Sequence, residues 1–202
     1  MTGGSSMRKQ KVRVLGALTV VSGPMFSGKT GKLITMTEVL TSIGKTVVVV
    51  KPSIDSRYGK KAELHSHDHR TIKSLLVDPE LTPEDILTQV LVTKPHVVIV
   101  DEAQFFTAST ILPVVEKLRS LGIDVIASGL QYDFRRRPFG AMPDLIGIAD
   151  DTIYLVAVCQ KCGRVARHSE RVAGGESQVS VGSSDSYIAA CDSCHHIYGY
   201  HG

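Results

Sequence analysis

VRVLGALTVVSGPMFSGKT, residues Val12 to Thr30, decides how this chain is read. Its opening is β-branched and apolar and ends in a glycine turn, the pattern of a strand from Val12 to about Val21. GPMFSGKT, Gly23 to Thr30, then satisfies G-x-x-x-x-G-K-[ST]. From Thr30 onward Leu33, Ile34, Thr37, Leu40 and Thr41 recur at helical spacing until Gly44, a C-terminal stop signal. Strand, glycine loop and helix in this order are the context in which such a motif cradles phosphate. Backbone N–H groups wrap the anion, the helix N-terminus adds its partial charge, Lys29 reaches the terminal phosphates and Thr30 offers its hydroxyl to Mg²⁺. The expected cradle is Gly23, Pro24, Met25, Phe26, Ser27, Gly28, Lys29 and Thr30.

The same alternation continues downstream. TVVVVK from Thr46, HVVIVD (His96 to Asp101) and DVIASG (Asp124 to Gly129) are apolar runs of the kind buried on both faces of a parallel sheet. Between them lie TPEDILTQVLV from Thr82, with proline at the first helical position and acids in the first turn, and STILPVVEKLRSLG, Ser109 to Gly122. Strands alternating with helices predict an α/β fold: a P-loop, RecA-like, doubly wound and mostly parallel sheet, with ligands at the carboxyl ends of its strands. After TIYLVAV, Thr152 to Val158, the texture changes to Cys, Gly, Ser and His. The expected organisation is therefore a disordered extension over 1–11, an α/β domain over 12–158 and a small C-terminal module over 159–202.

Composition narrows the function classes. A chain of 202 residues with 43% hydrophobic and 21% charged residues has room for one substantial core and one small appended module. No apolar run approaches the roughly 20 residues that cross a bilayer, and the N-terminus lacks the apolar segment and cleavage site of a signal peptide, so a cytoplasmic location without membrane partner is expected. A net charge of +3 does not by itself imply nucleic acid. The basic cluster Arg135 to Arg137 reads equally as a solvated loop or as a contact to a phosphorylated ligand.

A phosphate loop also needs an acid at the end of a neighbouring strand to hold the metal, and VVIVD supplies Asp101. Glu102 is left for a different role, since adjacent carboxylates can divide labour, one holding metal and the other taking a proton from a nucleophile. Water as nucleophile gives an ATPase and a substrate hydroxyl gives a kinase, and the motif does not choose. The plainer readings are a helix cap for Asp101 and a solvated acid for Glu102.

All cysteines fall late, as Cys159-x-x-Cys162 and Cys191-x-x-Cys194. Two such knuckles form the tetrahedral thiolate site that Zn²⁺ favours, and with its positions filled the metal is structural. The 28 residues between Cys162 and Cys191 exceed the common ribbon spacing of roughly 15 to 20, so a sizeable loop is carried between the knuckles. His65, His67, His69, His168, His195 and His196 sit in polar segments without supporting acids and read as loop histidines.

Taken in order, GPMFSGKT, KPSIDSRYG, DEAQFF, GLQYDFRRRPFG and CQKC…CDSC resemble the thymidine kinase family of the type with a zinc-binding lasso domain, over about Gly23 to Cys194. The resemblance implies transfer of the ATP γ-phosphoryl group to the 5′-hydroxyl of thymidine, with deoxyuridine as second substrate. It implies Glu102 as general base, Asp101 and Thr30 on Mg²⁺, and Asp55, Ser56, Arg57 and Gln104 at the phosphate site. It places Met25, Phe105, Leu130, Phe134 and Phe139 around the nucleoside, Ser169 near the 5-methyl group and Tyr187 against the nucleoside. Backbone groups of Gln178, Val179, Ser180, Val181 and Gly182 would read the base. Feedback inhibition by dTTP and a homotetramer are further implications of family. Ser169 in place of the family's Thr, and a more polar loop, bear on selectivity among analogues. The competing reading is a nucleic-acid-dependent ATPase with DEAQ as a helicase box; it requires a second ATPase-type domain and a basic, aromatic-studded groove. A zinc-bearing adaptor with a degenerate nucleotide site is the third, and Lys29, Thr30, Asp101 and Glu102 together speak against it.

Overall fold

The computed structural model describes residues 14–53, 63–65 (backbone only), 71–175, 177–178 and 186–197. The expected extension over 1–11 lies outside these residues. In chain order the elements are β1 (Leu18–Ser22), α1 (Lys29–Ser42), β2 (Val47–Pro52), β3 (Glu63–His65), β4 (Thr71–Lys73), β5 (Leu75–Val77) and α2 (Pro83–Leu91). There follow β6 (Val97–Val100), a 3₁₀ turn (Ala103–Phe105), α3 (Ala108–Ser120), β7 (Asp124–Gly129), α4 (Met142–Ile148) and β8 (Asp151–Tyr154). The last part carries β9 (Ala157–Val158), β10 (Val165–Ala166), β11 (His168–Arg171) and β12 (Tyr187–Ala190).

Six strands form one sheet in the order β5-β2-β6-β7-β1-β8, and every neighbouring pair is parallel. Pleating explains the unbroken apolar runs: alternate residues of one strand serve opposite faces. On one face Leu18, Val20, Val98, Val100, Val125 and Ala127 join the core built with α2, α3 and α4. On the other, Val21, Val49, Val97, Ile99 and Ile126 pack against Leu33 and Ile34 of α1. The α/β doubly wound reading holds, with the sheet parallel throughout.

Helix α2 begins as its sequence says. Thr82 caps it by accepting the Asp85 N–H at 3.2 Å, and Pro83 takes the first turn where no N–H is needed. Helix α3 starts one residue before the expected Ser109, because Thr107 accepts the Thr110 N–H at 3.2 Å and sets the cap there.

Three expectations need correction. The first strand, expected to run from Val12, begins among the described residues at Leu18, with 14–17 outside it. Residues just before it are held by other groups: Gly16 donates to the Arg119 carbonyl at 2.9 Å, Arg119 Nε returns a bond to the Gly16 carbonyl at 2.9 Å, and Ala17 N–H goes to Asp124 Oδ1 at 2.9 Å. Thr152 to Val158 is not one strand: β8 closes the large sheet beside β1, whereas Ala157–Val158 pairs with Val165–Ala166 in an antiparallel ladder. Strand β5 and helix α4 are absent from the sequence-based expectation, being too short (Leu75–Val77 and Met142–Ile148) to show a period.

Gly16 marks a tight contact between the chain entering β1 and the turn after α3. A Cβ there would lie 2.0 Å from the Ile123 carbonyl oxygen, which is backbone and cannot swing away. Gly16→Ala should therefore destabilise the protein by about 1–3 kcal/mol, read as a lower urea midpoint; an unchanged midpoint would show that this entry bends without cost.

Candidate functional site

Because the six strands are parallel, their carboxyl ends share one edge. Gly23 follows β1, Asp101 follows β6, Leu130 follows β7 and Leu155 follows β8, so residues far apart in sequence meet there. This is the edge where open α/β sheets bind ligands.

The loop from Gly23 turns through Phe26 (φ 65) and Gly28 (φ 83), and Gly28 is the N-cap of α1. Lys29 is buried and its Nζ donates to the carbonyls of Gly23 at 2.9 Å and Pro24 at 2.8 Å, folding the loop back over the ammonium. Ser27 Oγ also donates to the Pro24 carbonyl, at 2.8 Å. Burial holds the Lys29 ammonium below the ordinary lysine range, while Glu102 and Asp101 oppose that shift. Lys29 thus sits in the field of both strand-end carboxylates. Thr30 follows it in the first turn of α1.

Asp101 is buried, and its N–H donates to the Val50 carbonyl at 2.9 Å, continuing the ladder beyond β6. Burial, and then the neighbouring Glu102 charge, push its carboxyl up to about 7, against the pull of Lys51 and Lys29. A carboxylate whose charge is held this unfavourably suits a cation ligand. Glu102 adopts the left-handed conformation (φ 53, ψ 41), rare for a residue with a Cβ. The turn that follows aims its side chain at Gln104, whose Nε2 donates to Glu102 Oε2 at 2.5 Å.

Gln104 is buried, and its own Oε1 accepts the Leu130 N–H at 3.1 Å. The family resemblance puts Gln104 beside the phosphates; here its amide bridges the Glu102 carboxylate to the backbone after β7. Gly140 makes room for it. At φ 51 a Cβ on Gly140 would fall 1.9 Å from the Gln104 carbonyl oxygen.

The expected nucleoside residues gather in three groups. Phe105 and Phe139 meet edge to face, ring centroids 5.7 Å apart, near the end of β6. Phe134 is buried beneath the Arg171 guanidinium, whose Cζ stands 3.9 Å from its ring centroid. Tyr187 pairs with Arg171 across the β11–β12 ladder. Gln178 reaches Asp133 Oδ2 through Nε2 at 2.9 Å. Leu130 and Ser169 line a cavity of about 220 Å³ with Gly23 and Pro24. Ser169 Oγ accepts the Met25 N–H at 2.9 Å, tying the phosphate loop to β11. Phe26 packs against the small buried cluster of Ala157, Cys159, Ala166, Ala189 and Cys191, a second tie between loop and cysteine module. Asp55, Ser56, Arg57, Val179, Ser180, Val181 and Gly182 lie outside the described residues.

The four cysteines come together as their spacing predicts. Their Sγ atoms lie within 4.8 Å of one another, with Cys162 and Cys191 at 3.6 Å. Tetrahedral zinc with Zn–S bonds of about 2.3 Å separates its sulfurs by roughly 3.8 Å, so the set fits that ion. Arg164 Nε donates to Cys162 Sγ at 3.4 Å and is the leading cause that lowers this thiol to about 6, whereas the neighbouring Cys162 and Cys191 sulfurs push Cys194 up to about 12. Among the described residues no histidine joins the cluster. His168 Nε2 instead meets Asp192 Oδ1 at 2.7 Å. His67 and His69 lie outside the described residues, as does the side chain of His65.

Sheet and loop define a P-loop nucleotide-binding protein of the phosphoryl-transfer class, with a module, tied to the phosphate loop, whose four clustered cysteines could hold a metal. Comparison narrows the class. The family model described as "Thymidine kinase" matches residues 16–195, and the chain belongs to that family. It is similar to the thymidine kinase of Mesomycoplasma hyopneumoniae, 37% identical over 182 residues, covering 90% of this chain and 96% of that protein. The thymidine kinase of Porphyromonas gingivalis is 39% identical over 180 residues (89% and 85%), and that of Deinococcus deserti 38% over 194 residues (90% and 95%). A solved structure of Pif1 helicase from Candida albicans covers 70% of this chain and 36% of its own at 16% identity and a TM-score of 0.38, too distant to bear on function. No helix among the described residues is long and apolar enough to cross a membrane.

Proposed function

We propose that the protein phosphorylates thymidine at its 5′-hydroxyl, using ATP and giving dTMP, as a nucleoside salvage enzyme. The observation that supports this most directly is the paired carboxylate, Asp101 and Glu102, at the carboxyl edge of the sheet with Lys29 in its field, the loop that carries Lys29 being itself tied to the cysteine module. In this reading the loop from Gly23 to Thr30 holds the ATP phosphates, and Lys29 exchanges the Gly23 and Pro24 carbonyls for phosphate oxygens. Thr30 and Asp101 would hold Mg²⁺, which when bound screens charge on the transferring phosphoryl group. Asp55, Ser56 and Arg57 complete the phosphate side.

Glu102 takes the proton from the 5′-hydroxyl as the oxygen attacks phosphorus, and the proton ends on its carboxylate. Its geometry suits a base, because the left-handed turn and the Gln104 amide hold one oxygen and leave the other for a substrate hydroxyl. Met25, Phe105, Leu130, Phe134 and Phe139 wall the nucleoside, Tyr187 packs on it, and Ser169 stands near the 5-methyl group. Backbone groups from Gln178 to Gly182 read the base, since a wrong base leaves buried polar groups unpaired. The zinc on Cys159, Cys162, Cys191 and Cys194 is structural, and the chain divides into a 12–158 kinase domain and a 159–202 lasso domain. Deoxyuridine as second substrate, inhibition by dTTP, a homotetramer and a cytoplasmic location belong to the same reading.

A coupled assay of ADP release with Mg·ATP tests it, adding in turn each deoxynucleoside and single-stranded DNA. Release that depends on thymidine, with dTMP formed in step, is the expected result. Release stimulated by DNA and indifferent to thymidine would make the acidic pair a motor's motif.

A further inference from the structure

Arg171, the last residue of β11, is a buried cation: its side chain is 1% exposed and is the largest of the fully buried ones. An arginine has five N–H donors in a rigid fork. All are engaged. Nε donates to Tyr187 Oη at 2.9 Å, and one NH₂ group donates to the carbonyls of Gly175 at 2.7 Å and Ser177 at 2.6 Å. The other NH₂ group donates to the Gln178 carbonyl at 3.3 Å and to Tyr187 Oη again. The guanidinium plane lies over two rings, Phe134 at 3.9 Å and Tyr187 at 5.1 Å from Cζ to centroid.

Burying a cation costs desolvation that ordinary packing would not incur, so a chain that needed only a filled space here would do better with an apolar side chain. What distinguishes Arg171 is the set of groups it gathers. Phe134 belongs to the segment after β7 in the α/β body, whereas Tyr187 and the Gly175, Ser177 and Gln178 carbonyls belong to the cysteine module and its loop. Three of these, Phe134, Tyr187 and Gln178, are proposed to contact the nucleoside. Two further links hold the same seam: Gln178 Nε2 to Asp133 Oδ2 at 2.9 Å, and Arg136 to the Asp192 carbonyl at 3.2 Å.

We infer that Arg171 is a positioning residue for the nucleoside half of the site. Its guanidinium fixes the Phe134 and Tyr187 rings and the backbone leading into the base-reading segment, before thymidine arrives. This rests on the proposed thymidine kinase reading. Lysine cannot replace it, having three donors on a point charge and no fork. The phosphate loop makes no use of Arg171, so the consequence is selective: nucleoside binding suffers and ATP binding does not.

The test is steady-state kinetics of the full chain, zinc bound, comparing wild type with Arg171→Lys and Arg171→Gln. The neutral Gln removes the cost of burying a charge, so it remains informative where Lys fails to fold. Zinc content and hydrogen exchange of residues 14–53 report that the rest of the molecule is intact. Thymidine KM should rise about tenfold to a hundredfold, as expected for lost charged hydrogen bonds, with ATP KM within about twofold. Amide exchange over 172–178 and 187–190 should accelerate in step. Equal losses toward ATP and thymidine, or a general fall in stability with KM ratios unchanged, would reduce Arg171 to a structural residue and overturn the inference. Wild-type protein inert toward thymidine would instead overturn the underlying reading, a result separable from either.

Discussion

Glu102→Gln should keep ATP and thymidine binding within about twofold of wild type and lose turnover by about two to four orders of magnitude. The substitution is nearly isosteric. Gln accepts the Gln104 Nε2–H through its own carbonyl as Glu102 does through Oε2, so the bridge to Leu130 survives. The left-handed backbone at φ 53 is equally demanding for either side chain, so no new strain enters. What disappears is the capacity to accept a proton, and only a step that needs it responds. Single-turnover formation of dTMP measures that step directly; unchanged turnover would strip Glu102 of its role as base. A large loss of ATP affinity would show instead that its charge serves Lys29, whose ammonium lies in its field.

Cys162→Ser should reduce zinc from one ion per chain to none and disorganise the module that carries β10 to β12, together with β9, which pairs with β10. The core there is thin: Ala157, Cys159, Ala166, Ala189 and Cys191, with Phe26 and Cys194 packed at its edge. Small side chains bury little apolar area, so packing alone does not offset the entropy of ordering the loop. Metal binding on the order of 10 kcal/mol does. The loss then spreads by named contacts. β11 supplies Ser169 Oγ to the Met25 N–H and Arg171 to Phe134, so both the phosphate loop and the nucleoside wall loosen. Metal analysis together with hydrogen exchange over 157–197 checks this. A folded, fully active, zinc-free variant would refute a structural metal.

Much of the site is legible in the sequence because its signals are local. GPMFSGKT places a loop, a buried lysine and a helix start within a few residues, and VVIVDE places two acids where a buried strand ends. Paired C-x-x-C knuckles announce a thiolate cluster whatever path the chain takes between them. Apolar residues before Leu18 read as strand and make β1 look too long, although distant partners, Arg119 and Asp124, hold that backbone. Thr152 to Val158 reads as one strand because nothing in its apolar run marks where β8 leaves the large sheet and β9 joins another ladder.

By itself, then, the sequence determined the P-loop α/β class, the acidic pair and the cysteine cluster, since each follows from period or spacing along a few neighbouring residues. Only the tertiary structure decided that Gln104 bonds Glu102 and Leu130, that Ser169 holds Met25, and that Arg171 gathers Tyr187, Phe134 and the carbonyls of Gly175, Ser177 and Gln178. Hydrogen bonds and ring contacts depend on distance in space, and strands that are neighbours in a parallel sheet are separated in sequence by whole crossover connections. No pattern in a single chain records which side chains meet across such a gap.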